Sequence, residues 1–79
     1  MKTNFLFAVD TAAEFVIVSE SPKGSMKVNF IERVTKKDNE TLYNAVQTLT
    51  EITKATNFDA VAFKKMDKEC QVLYQKHKK

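Results

Sequence analysis

The sequence predicts a single α+β domain over residues 1–79, ordered βββαβα, with a mixed four-stranded sheet in the strand order 3-2-1-4 and helices packed on it. Three observations carry this. Two aromatic and β-branched runs, Asn4–Val9 and Glu14–Ser19, are joined by the short link Asp10-Thr11-Ala12-Ala13. Apolar residues then recur at helical spacing after Asp38-Asn39, and a short apolar run, Phe58–Phe63, separates that helix from a second amphipathic stretch. A chain of 79 residues has room for one hydrophobic core, and 43% hydrophobic with 29% charged residues is a globular rather than a disordered balance.

Phe5-Leu6-Phe7-Ala8-Val9 is apolar at both alternating sets of positions, the pattern of a strand covered on both faces in the middle of a sheet. Glu14-Phe15-Val16-Ile17-Val18-Ser19 forms strand 2, and the short link makes the pair an antiparallel hairpin. Ser21-Pro22-Lys23-Gly24-Ser25 is a tight turn, with Pro22 fixing φ and Gly24 accepting a positive φ. Met26, Val28 and Phe30 alternate with Lys27 and Asn29, so strand 3 has one wet face, lies at a sheet edge and runs to about Val34. Asp38 or Asn39 caps helix A, with Glu40 favourable to its dipole. Leu42, Ala45, Val46, Leu49 and Ile52 form its buried stripe, Asn44, Gln47, Thr48 and Glu51 its wet face, and it ends near Ala55. Phe58–Phe63 is strand 4, parallel to its neighbour because a helical crossover leads to it. Asp67 caps a last helix that buries Cys70, Leu73, Tyr74 and His77.

The net charge of +3 is unevenly placed. The basic helix and tail 64–79 holds six lysines and two acids, 6 − 2 = +4, while residues 1–63 hold seven bases and eight acids, or −1. Closely spaced ammonium groups displace counterions from a phosphate backbone, so Lys64, Lys65, Lys68, Lys76, Lys78 and Lys79 are the expected nucleic-acid contacts. Lys36, Lys37 and Arg33 extend this set if strand 3 ends near the last helix, and Tyr43 or Tyr74 offers a ring for base stacking. A single arginine leaves little means of bidentate base readout, so RNA, single strands and duplexes are all admissible ligands. One glycine excludes a glycine-rich phosphate loop. Cys70 and His77 stand about 10 Å apart along one helix, too far to share a zinc ion. The lone cysteine indicates a reducing, cytoplasmic setting, and no apolar run approaches the ~20 residues that cross a bilayer.

The predicted element order also resembles the core of the ribonuclease H-like superfamily. The resemblance begins at Phe5-Leu6-Phe7-Ala8-Val9-Asp10-Thr11-Ala12, similar to that core's first strand ending in an acid. It continues at Phe58 to Phe63 followed by Asp67, similar to the strand that delivers another acid before a helix. It spans nearly the whole chain and rests on element order and two aspartates. It implies carboxylates that hold divalent metals for phosphodiester hydrolysis. Only Asp10 and Asp67 match: neither Glu40 nor Glu51 replaces the family's helix acid, the fifth strand and its acid are absent, and Lys64 and Lys65 precede Asp67. No metal, cofactor or catalytic set is therefore expected, and Asp10 reads as a turn former whose carboxylate accepts nearby amides. The expected function is a small, basic, non-enzymatic binding protein that engages RNA or a nucleic-acid-handling enzyme as an inhibitor or accessory factor, in the style of bacteriophage accessory proteins. The alternatives are a protein-interaction module or homodimer using the strand 3 edge, and a degenerate nuclease of the ribonuclease H-like kind.

Overall fold

Five elements make up the computed structural model, which describes residues 3–24 and 27–78: β1 (Thr3–Asp10), β2 (Phe15–Pro22), β3 (Phe30–Thr35), α1 (Glu40–Lys54) and α2 (Ala60–Lys78). The sheet is three-stranded, antiparallel and ordered β1-β2-β3. Its first hairpin is set locally. Asp10 Oδ1 accepts from the amides of Ala12 and Ala13, each at 3.0 Å, and Asp10 pairs with Phe15 to start a ladder that runs to Thr3 opposite Pro22. Glu14 turns the chain into β2 at φ 57°, a left-handed conformation that a Cβ disfavours. The Lys36 amide, donating to its carbonyl at 2.9 Å, helps to hold it there. Gly24 has φ 87°, as its place in the second turn requires.

Alternation along the strands separates two faces. Phe5, Phe7 and Val9, with Val16 and Val18 and with Val34, face the helices; Leu6, Ala8, Ile17 and Ile31 face the other way. The helices close the inner face only. Asn39 caps α1 by accepting the Leu42 amide at 3.0 Å, and Leu42, Tyr43, Ala45, Val46 and Leu49 are buried from it. From α2, Cys70 and Tyr74 complete the core. The start of α1 is tied to the end of α2 through Asn39 and His77, so the two helices run antiparallel.

Three expectations are corrected. Phe58–Phe63 is not a strand: Asp59 Oδ1 accepts from Val61 and Ala62 at 3.0 and 3.2 Å, its carbonyl accepts the Phe63 amide, and α2 starts at Ala60. A good cap followed by Ala60 and Ala62 favours helix, and a six-residue apolar run has too few positions for its period to distinguish helix from strand. The order is therefore βββαα rather than βββαβα, the sheet has three strands in place of a mixed four, and Asp67 lies within a helix it was expected to cap. The element order behind the ribonuclease H-like resemblance is absent with it. Second, β1 is an edge strand, with Leu6 70% exposed on an uncovered face, where a central strand was expected. Third, strand 3 begins at Phe30: Val28 precedes it and is exposed, and Met26 lies outside the described residues.

Candidate basic interface on the second helix

Lysines enter the site through the periodicity of α2. The side that carries Cys70 and Tyr74 is buried, so residues half a turn away must face water. There Val61, Lys65, Lys68, Val72 and Lys76 recur at steps of four, three, four and four, with Lys64 and Gln75 beside them. Lys64, Lys65, Lys68 and Lys76 are all exposed and belong to no ion pair among the described residues. One acid, the exposed Glu69, stands at the margin of the stripe, one turn on from Lys65, so the face carries four lysines against a single carboxylate. A shallow depression bounded by Lys68, Gln71, Val72, Gln75 and Lys76 lies along it, and Val61 and Val72 supply apolar contact between the ammonium groups.

The other expected contacts separate from this face. Lys78 Nζ lies 3.3 Å from Glu20 Oε2 and over the rings of Tyr74 and Phe30, so it joins helix to sheet. Lys36 pairs with Glu14 at 3.7 Å and covers the Tyr43 ring. Lys37 is exposed in the turn that precedes α1, and the Asn39–His77 contact sets that turn beside the last turn of α2. Arg33 stands on the uncovered sheet face with its guanidinium over Phe15, on the opposite side from the helices. Lys79 lies outside the described residues.

Neither tyrosine is free to stack on a base. Tyr43 is buried under Lys36, and Tyr74 is fully buried with its ring edge-on to Phe5 and Phe7. The Tyr74 hydroxyl lies 2.8 Å from Glu32 Oε1 and 3.0 Å from Glu20 Oε2. Burial first, then the hydrogen bonds to these two carboxylates, holds the phenol far above its ordinary ionisation range. This Glu20–Tyr74–Glu32–Lys78 cluster was not legible in the sequence, where its members are separated by as many as 58 positions.

Residues considered for chemistry are occupied structurally. Asp10 is the turn former already described, and Asp67 accepts from Gln71 Nε2 one helical turn on, at 2.9 Å. Cys70 is buried, and burial followed by the charges of Asp67 and Glu69 pushes its thiol up to about 12, which suppresses the nucleophilic thiolate. His77 Nδ1 accepts from Asn39 Nδ2 at 3.2 Å, because the cap's oxygen is already engaged by Leu42. Among the described residues no group of three or more His, Cys, Asp or Glu side chains is placed to hold a metal ion, and no helix is long and apolar enough to cross a membrane. Comparison with protein-family models, with curated proteins and with solved structures finds no match for this chain.

Proposed function

We propose that this chain is a non-enzymatic binding protein whose ligand is a nucleic-acid backbone, engaged by the exposed face of α2. The observation that carries this reading is the row of four exposed lysines, Lys64, Lys65, Lys68 and Lys76, which outnumber the one acid beside them, Glu69, and belong to no ion pair among the described residues. Twelve residues of helix separate the first lysine from the last, about 18 Å, which matches the rise of about five base pairs. No exposed tyrosine and no arginine accompanies the stripe, so it reads phosphate charge and not base identity. Lys78 and Lys36 serve the fold, and Arg33 lies on the far side.

Replacing Lys64, Lys65, Lys68 and Lys76 together with glutamine tests the reading, because all four are exposed and their loss leaves the core intact. Fluorescence anisotropy with labelled RNA across a salt series should give a log–log slope near −3 for four phosphate contacts, reduced to near zero in the variant. Equal affinity of variant and wild type at ~50 mM salt removes the proposal.

A further inference from the structure

We propose that β1 pairs edge to edge with β1 of a second copy of this chain, about a two-fold axis at Leu6, to build a six-stranded antiparallel sheet. The backbone chemistry follows from register. The carbonyls of Glu14 and Glu20 accept from Lys36 and Asn29, each at 2.9 Å, so the even-numbered residues of β2 turn their backbone groups toward β3. The odd-numbered ones, Phe15, Ile17, Ser19 and Ser21, therefore bond β1 through Asp10, Ala8, Leu6 and Asn4, since bonded and non-bonded pairs alternate along an antiparallel ladder. What remains are the N–H and C=O groups of Thr3, Phe5, Phe7 and Val9, which point outward along the open edge. No side chain or loop among the described residues bonds to them.

Edge strands are ordinarily guarded by charge, proline or a bulge. The β3 edge is guarded, with Glu32 and Arg33 within it and Lys36 and Lys37 just beyond, which argues against strand 3 as the self-pairing edge. From Thr3 to Val9, β1 has neither a charge nor a proline, so a second copy opposes it with no like charges. With Leu6 opposite Leu6 at the axis, Phe5 meets Phe7 and Thr3 meets Val9 as bonded pairs, about eight new backbone hydrogen bonds at two per pair. Phe5 and Phe7 are already stacked at 6.2 Å within one chain, and the pairing extends that aromatic row across the axis. A cavity of about 430 Å³ lies beside the strand, bounded by Phe5, Leu6 and Phe7 and, from α2, by Phe63 and Asp67. An axis normal to the sheet keeps faces together and sets both helical layers, with both α2 stripes, on one side. The pairing stands on the β1 edge alone and holds whatever α2 binds.

Sedimentation velocity from micromolar to millimolar protein tests the proposal. Wild type should shift from monomer to dimer. Leu6→Lys, at a position exposed enough to leave the fold unchanged by circular dichroism, places two ammonium groups opposite each other and should raise the midpoint about tenfold or more. Ile31→Lys is the control: Ile31 is 60% exposed on the same uncovered face but belongs to β3, so this variant should dimerise like wild type. Amide exchange should slow at Phe5, Phe7 and Val9 as concentration rises, and stay constant at Ile31 and Arg33. A wild type that is monomeric throughout overturns the proposal, as does equal loss of the dimer in both variants, which would mean that the sheets pack face to face. Slowed exchange at β3 in place of β1 also overturns it.

Discussion

Replacing Tyr74 with phenylalanine deletes one oxygen from the meeting point of helix and sheet. The ring keeps its edge-on contacts with Phe5 and Phe7, so no cavity larger than that atom is created. What is lost is the hydroxyl between Glu32 at 2.8 Å and Glu20 at 3.0 Å. A phenol has one hydrogen and donates to one carboxylate at a time, so the loss corresponds to one hydrogen bond to a charged acceptor, about 1.5–3 kcal/mol. Lys78 stays beside Glu20 and limits the cost of stranding that carboxylate, which places the expected destabilisation near 2 kcal/mol. For a domain of this size that lowers Tm by roughly 8–16 °C. Urea unfolding followed by circular dichroism should show a lower midpoint at unchanged slope. A double-mutant cycle with Glu32→Gln should show that the two losses are not additive. A loss below about 0.5 kcal/mol, or strict additivity, would mean that the carboxylates are solvated and that the cluster does not join α2 to the sheet.

Two further predictions rest on the ends and the buried face of the helices. Cys70 should resist thiol reagents in native buffer and react only as fast as the chain unfolds; rapid labelling would refute its burial. Because its folded-state value is raised from 9.0 to about 12, the stability it contributes is complete below pH 9 and is lost as pH climbs toward 12. The fall is at most about 1.4 kcal/mol per pH unit, and Cys70→Ala should remove that part of the alkaline slope. Asn39→Ala removes the α1 cap and the contact with His77 together, and should cost about 1–2 kcal/mol, read as a lower urea midpoint. Asn39→Asp, which keeps the cap oxygen and loses the amide donor, should recover most of it; failure to recover would locate the effect in the His77 contact.

Local chemistry alone determined a good part of this protein. The Asp10 turn, the positive φ of Gly24, the Asn39 cap, the Leu42–Leu49 stripe and the buried Cys70–Tyr74 face each depend on residues within one or two turns of each other, so periodicity and capping rules reach them. The tertiary structure decided the rest. Phe58–Phe63 satisfies both a strand and a helix pattern, and the choice fell to the Asp59 cap and to the inner sheet face that α2 covers. The two apolar faces of β1 signalled a central strand, yet composition carries no information on what lies beyond an edge, and Leu6 is left open there. The lysines show the limit most clearly. Lys76 and Lys78 are near-identical in sequence context, but a lysine's role depends on whether a carboxylate comes within reach of its ammonium group. Glu20 arrives beside Lys78 from 58 positions away, through a strand register that only the assembled sheet sets.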